Sequence, residues 1–103
     1  MNTADELKAW NYQVLMLTQA MLGAVTPNFR MVVLSREGEE WVISFYFEKD
    51  VGDDMEEVED IICQYTAYQD SSLKCRREVI ISREKLPSLS QADRVVYRRK
   101  EYC

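Results

Sequence analysis

The sequence predicts a single α+β domain in which two helices cover one face of a mostly antiparallel sheet. Three observations support this class. The 103 residues are 47% hydrophobic, which suits one core and leaves no room for a second domain within 1–103. Two segments carry apolar residues at helical spacing, and four shorter runs have strand character. Their order is helix, strand, strand, helix, strand, strand, which is typical of helices packed on a sheet.

The first helix is predicted over residues 3–22, with Thr3 or Asn2 as its cap. Gly23 can end this helix in a left-handed conformation, and Pro27 prevents the helix from resuming. Its apolar face comprises Leu7, Trp10, Tyr12, Val14, Leu15, Leu17, Met21 and Leu22.

Two strand-like runs follow and are predicted to form a hairpin. They span Phe29–Arg36 and Trp41–Glu48, and Glu37, Gly38 and Glu39 join them. Residues of a strand alternate between its two faces. One face of the second run therefore carries Trp41, Ile43, Phe45 and Phe47, which we expect to pack on the helices.

The second helix is predicted over residues 53–69. Asp53 is a suitable cap, and Glu56 three residues later completes a capping-box pattern with Asp in place of Ser. The stripe expected to dock on the sheet comprises Met55, Val58, Ile61, Ile62, Tyr65 and Tyr68.

The last third of the chain supplies two more strands. The first runs over residues 73–82 and ends in Val79, Ile80 and Ile81. Residues 83–91 contain Pro87 and serines and are predicted to be a connection. A short fourth strand follows over residues 94–100.

Charge is divided unevenly along the chain. Residues 1–70 carry 14 acids and 4 bases, whereas residues 71–103 carry 4 acids and 9 bases. Eight carboxylates lie between Glu48 and Asp60, against Lys49 as the one cation. Two or three acids would complement the dipole of a helix start, and a solvated helix face is the structural alternative. The excess favours a surface that meets a basic partner.

Catalysis, metal binding and nucleic-acid binding are not favoured, and no catalytic, metal-binding or cofactor-binding residue is predicted. The chain has no histidine, the usual group that titrates near neutral pH. The acidic stretch does not match a calcium-binding EF-hand loop, because Gly52 falls at a ligand position. A net charge of −5 opposes phosphate binding, and we expect the late bases to pair with acids across strands.

The chain is expected to be cytoplasmic and not to bind a membrane. No apolar run approaches the ~18 residues that cross a bilayer, and the first ten residues lack the basic flank of a signal peptide. Cys63, Cys75 and Cys103 are widely spaced, which indicates free thiols.

Part of the sequence resembles a family of small bacterial proteins. The segment Leu22–Arg30 (LGAVTPNFR), the strand Met31–Leu34 and the segment Glu56–Ile61 (EEVEDI) are similar to contact-dependent growth inhibition immunity proteins of the CdiI type. The resemblance covers about residues 13–70. It implies a cytoplasmic antidote that binds and blocks the C-terminal toxin domain delivered by a neighbouring cell, often a nuclease. We carry over no family binding residue.

Charge alone therefore selects the candidate toxin-binding residues, for a one-to-one complex with a basic toxin domain that we expect to be an RNase. The alternative is an acidic interaction or regulatory module without a toxin partner, which could also associate through the edge of its sheet. Trp41, Tyr46 and Tyr68 are candidate aromatic anchors, although such side chains more often lie in a core. The candidate toxin-binding residues are Glu37, Glu39, Glu40, Asp50, Asp53, Asp54, Glu56, Glu57, Glu59 and Asp60.

Overall fold

A computed structural model of the chain describes residues 3–67, 69–89 and 93–101. The predicted α+β class and the predicted order of elements are confirmed. Asn2, Tyr68 and Cys103, which entered the sequence predictions, lie outside the described residues. The elements are α1 (Thr3–Met21), β1 (Phe29–Glu37), β2 (Glu40–Phe47), α2 (Gly52–Ala67), β3 (Cys75–Ile81) and β4 (Arg94–Arg98).

The four strands form one sheet in the order β3-β2-β1-β4. Strand β1 is antiparallel to both of its neighbours, β2 and β4. Strands β2 and β3 are parallel, because helix α2 connects them and returns the chain to the end of the sheet from which β2 started. The sheet is therefore mostly antiparallel, with β3 and β4 as its two outer strands.

The main core lies between the helices and one face of the sheet. The predicted inward face of β2 is confirmed, since Ile43, Phe45 and Phe47 have no exposed surface. Helix α2 contributes Val58, Ile61 and Tyr65 at spacings of three and four, as the predicted stripe requires. The remaining buried members of this core are Leu17, Ala20, Met21, Phe29, Val32, Leu34 and Trp41.

The second face of the sheet is also covered. Met31 and Val33 of β1 point to this face and pack against Leu86, which is 7% exposed, in the connection between β3 and β4. Tyr46 and Leu89 lie beside them. A strand that carries apolar residues on both faces must be covered on both faces. Strand β1 is such a strand, and all of its residues from Phe29 to Leu34 are buried.

Two glycines adopt positive φ at the predicted turns. Gly23, at φ 79, follows the end of α1, and the Ala24 N–H donates to the Met21 carbonyl at 3.0 Å. Gly38, at φ 61, begins a two-residue hairpin loop with Glu39. The loop is one residue shorter than predicted, because Glu37 pairs with Glu40 and belongs to β1.

A buried polar network joins the two helices. The Tyr65 hydroxyl donates to Gln13 Oε1 at 2.5 Å, and Gln13 Nε2 donates to Gln69 Oε1 at 2.8 Å. Gln69 Nε2 in turn donates to the Tyr65 carbonyl at 2.7 Å. Burial raises the pKa of Tyr65, so the hydroxyl remains protonated and keeps donating to Gln13 throughout the neutral range.

Replacing Tyr65 with phenylalanine is expected to lower the free energy of unfolding by about 1–2 kcal/mol, because the buried Gln13 oxygen loses its donor. Urea unfolding measures the change. Tyr12→Phe is the matched control, since Tyr12 lies on the same helix pair but is 49% exposed. Equal stability of the two variants would show that the network does not stabilise the helix packing.

Candidate partner-binding surface

Unpaired carboxylates gather at the start of α2. Asp50, Asp53, Glu56 and Asp60 are exposed, and Glu57 is half-buried. Among residues 3–67, 69–89 and 93–101, none of the five forms an ion pair. We call these five residues the acidic α2 surface.

The start of α2 differs from the predicted one. The helix begins at Gly52, and the N–H groups of Asp54 and Met55 both donate to the Val51 carbonyl, at 3.0 and 3.2 Å. Asp53 therefore lies inside the first turn, and the predicted capping box of Asp53 with Glu56 is wrong. Asp53 instead complements the positive end of the helix dipole.

Asp54 lies inside the fold and not on the acidic α2 surface. It is 4% exposed, and its two carboxylate oxygens accept hydrogen bonds from Thr26 Oγ1 and Asn28 Nδ2, each at 2.8 Å. Asn28 also bonds to the backbone of Lys49 in both directions at 2.8 Å. Asp54 thus holds the turn before β1 against α2. Its position four residues before Val58, on the buried stripe, is the sequence signal for this role.

Asp54→Asn is expected to destabilise the protein by about 1–2 kcal/mol, because the charge-assisted hydrogen bonds from Thr26 and Asn28 to the carboxylate are replaced by weaker neutral ones. Asp53→Asn is the matched control on the exposed neighbour and should change stability by less than about 0.5 kcal/mol. Thermal unfolding of the two variants measures the difference. A larger loss at Asp53 would contradict these assignments.

The other predicted acids are held by arginine or lysine side chains. Arg76 bonds to Glu40 at 2.5 Å, to Glu37 at 2.8 Å and to Glu78 at 3.3 Å. These hydrogen bonds raise the pKa of Arg76, and the bond to Glu37 contributes most. Lys74 lies 3.7 Å from Glu39. The hairpin tip is therefore acidic in sequence but largely neutralised in the structure.

Glu59, the last of the predicted acids, bridges α2 to the sheet. Its Oε1 lies 2.7 Å from Nη2 of Arg77 on β3. The expectation that the late bases pair with acids across strands is confirmed for Arg76, which binds Glu37 of β1 and Glu40 of β2. Lys74, Arg77 and Arg99 also pair with acids, but their partners lie in the hairpin loop, on α2 and just after β2. The positive charge of residues 71–103 is thus partly balanced by acids from the first two thirds of the chain.

A second charged network lies at the end of the sheet where β1 begins. Arg30, which is 5% exposed, binds Glu101 through two bonds of 2.7 Å and donates to the Ser82 carbonyl at 2.7 Å. Arg99 joins Glu101 at 3.1 Å and Glu48 at 2.8 Å. We call Arg30, Glu48, Arg99 and Glu101 the Arg30 network. The hydrogen bond from Arg30 is the main cause that lowers the pKa of Glu101 to about 2.

Two of the candidate aromatic anchors belong to the interior. Trp41 is 5% exposed, packs edge-on against Trp10 with ring centroids 4.9 Å apart, and lies under the Arg36 guanidinium. Tyr46 is half-buried against the second face of the sheet. Neither side chain lies on the acidic α2 surface.

Other kinds of site were sought in the described part of the chain. In 3–67, 69–89 and 93–101, no three histidine, cysteine or carboxylate side chains meet in a group that could hold a metal ion. The helices in the same ranges are too short or too polar to cross a membrane. Cys63 is exposed and Cys75 half-buried, and both are free thiols.

Comparison with known proteins identifies the family. No individual curated protein matches the chain. The family model that matches is described as MafI2 immunity protein, and the match runs over residues 11–101. The resemblance to immunity proteins is confirmed, although the matching family is MafI2 and not specifically the CdiI type. Immunity proteins act on a toxin by binding and not by catalysis, so the chain is not an enzyme. From residue 11 to residue 101, the chain belongs to the MafI2 immunity protein family.

Proposed function

We propose that this protein neutralises a cognate MafB toxin in the cytoplasm, by binding its toxin domain one to one. The observation that carries the proposal is the family match over residues 11–101. We further propose that the acidic α2 surface makes the first contact with a basic face of that domain. The five carboxylates of this surface are not engaged by cations within the described residues, which supports this assignment.

Electrostatics supports this surface over the hairpin tip. Charges that are already paired project little field, whereas unpaired carboxylates of one sign reinforce each other over about a Debye length, roughly 8–10 Å in physiological salt. Glu37, Glu39 and Glu40 are paired with Lys74 or Arg76. We therefore expect the hairpin tip to contribute less to the encounter than the acidic α2 surface.

The chemistry of the surface also bears on the toxin. A nuclease presents cations to the phosphates of its substrate, and an acidic protein surface can occupy the same groove. We propose that the toxin domain is a basic RNase and that the protein covers its active site. The protein would then compete with RNA for the same cations and would need neither a cofactor nor a catalytic residue of its own.

Titration calorimetry with the toxin domain encoded beside the gene of this protein tests the proposed function. The domain is used with an inactivating substitution. We expect a stoichiometry of one and, for the active domain, complete loss of toxicity when the two proteins are produced together. A MafB toxin domain from a different toxin–immunity pair is the control and should not bind. Absence of binding to the cognate domain would contradict the proposal.

A further inference from the structure

Within the part of the chain that the structure describes, strand β3 presents an open backbone edge. It is the outer strand beside β2, and its seven residues pair with β2 without a shift in register. The Trp41 N–H donates to the Lys74 carbonyl, and the Ser82 N–H donates to the Phe47 carbonyl. Backbone groups alternate between the two sides of a strand. The N–H and C=O groups of the odd-numbered residues Arg77, Val79 and Ile81 therefore point away from β2.

The side chains of this edge are apolar toward its C-terminal end. Val79 is 39% exposed and Ile81 is 45% exposed. Outer strands are usually protected by shortness, a bulge, proline or inward-pointing charge. The opposite edge follows that rule, since β4 has five residues and its register shifts between Val32 and Val33 of β1. The last three residues of β3, Val79 to Ile81, carry neither charge nor proline.

Helix α2 reaches the same edge through an acidic side chain. Residues that are paired in register share a face of the sheet, so Arg77, Val79 and Ile81 share the helix-covered face with their β2 partners. Glu59 of α2 reaches Arg77 on this face at 2.7 Å. Glu56, one helical turn earlier, lies on the same side of α2. A strand added at β3 would thus run beside Glu56 and Glu59.

The charge at this edge distinguishes two kinds of binding partner, a second copy of this protein and a basic strand of another protein. If two copies of the protein joined their β3 edges in one continuous sheet, both α2 helices would lie on the same face and flank the junction. The unpaired Glu56 carboxylates of the two copies would then repel each other, because Arg77 of each copy is already engaged by its own Glu59 and α2 carries no cation. A basic strand would meet the same carboxylates with opposite charge. The edge therefore fits a basic partner better than a second copy.

We propose that the toxin domain adds an extended strand to β3, with its backbone bonded to Arg77, Val79 and Ile81. Apolar side chains of the added strand cover Val79 and Ile81, and a basic side chain faces Glu56. This inference rests on the proposed function and specifies the geometry of the complex. Main-chain bonds supply affinity in such strand addition, while alternate side chains supply specificity.

Amide hydrogen exchange of the protein, free and bound to the inactivated cognate toxin domain, tests the geometry without any substitution. The N–H groups of Arg77, Val79 and Ile81 are expected to become protected in the complex. Those of Arg76, Glu78 and Ile80 bond to β2 and should already be protected in the free protein. If the toxin binds and the three outward amides remain unprotected, the added strand is excluded while the proposed function stands. If the toxin does not bind, both proposals fail.

A matched pair of variants provides the second measurement. Val79→Lys on β3 is expected to weaken toxin binding by about tenfold or more, because it places a charge among the apolar side chains that cover Val79. Val95→Lys on β4 adds the same charge at a valine that is 46% exposed and should change the Kd by less than about twofold. Equal effects of the two variants would overturn the proposal, as would sedimentation of the free protein as a dimer joined through β3.

Discussion

Replacing Asp53, Glu56, Glu57 and Asp60 together with lysine is expected to slow association with the toxin domain by about a hundredfold at low salt. Four reversals change the net charge from −5 to +3 and turn the acidic α2 surface into a basic one. The altered surface then repels the basic partner that the wild-type surface attracts. Stopped-flow mixing with the inactivated toxin domain measures the rate constant, and circular dichroism checks that the fold is retained.

The matched control has the same net charge but reverses acids elsewhere. Asp5, Glu6, Asp70 and Glu84 are all exposed and lie outside α2. Asp5 and Glu6 occupy the first turn of α1, so this variant also loses acids at a helix start. We expect the control to slow association only about threefold to fivefold. If it slows association as much as the α2 variant, net charge and not the acidic α2 surface governs the encounter.

The second large effect is expected at the Arg30 network. Glu101→Gln should lower the free energy of unfolding by about 2–3 kcal/mol at pH 7, because the nearly buried Arg30 guanidinium loses its bidentate carboxylate. Urea unfolding measures the loss. Glu84→Gln removes an exposed carboxylate from the preceding connection and is the control, with an expected change below about 0.5 kcal/mol.

The same network predicts the direction of a pH effect. The pKa of Glu101 is lowered from its ordinary value near 4.5 to about 2, mainly by the hydrogen bond from Arg30. The stabilisation from ionised Glu101 is therefore complete above pH ~4.5 and is lost as the pH falls toward 2. Glu101→Gln should remove this part of the acid sensitivity. A variant as sensitive as the wild type between pH 4.5 and 2 would contradict the assignment.

The fold could be predicted from local patterns, because the elements that form it have clear periodicity. The alternation of Trp41, Ile43, Phe45 and Phe47 identified the inward face of β2 without any knowledge of its neighbours. The spacing of Val58, Ile61 and Tyr65 did the same for α2. Gly23 and Pro27 marked the end of α1, where no helix could continue.

Features that depend on residues distant in sequence were missed. The carboxylate of Asp54 meets Thr26 and Asn28 only after the turn before β1 packs on α2. The charge of Asp54 groups it with its acidic neighbours, whereas its position four residues before Val58 puts it on the buried stripe. The pairing of Arg30 with Glu101 spans 71 residues, so no local pattern could indicate it.

The sequence also could not show how the predicted acids are paired, for a related reason. The sequence shows where acids are dense, but it does not show which of them are already paired. Glu37 and Glu40 are held by Arg76, and Glu59 by Arg77, because β3 lies beside β2. Helix α2 is the crossover connection that makes β3 parallel to β2. This pairing brings Arg76 and Arg77 close to the acids. The acids of the acidic α2 surface, which we propose for toxin binding, are Asp50, Asp53, Glu56, Glu57 and Asp60.

The dependence of the association rate on ionic strength tests the central claim most directly. Wild-type protein is mixed with the inactivated cognate toxin domain at salt concentrations from about 0.02 to 0.5 M, over which the Debye length falls from roughly 20 to 4 Å. If unpaired carboxylates on α2 guide a basic toxin to its inhibitor, the association rate constant should fall at least about tenfold across this range, while the dissociation rate changes little. An association rate constant that does not change with salt would contradict the claim.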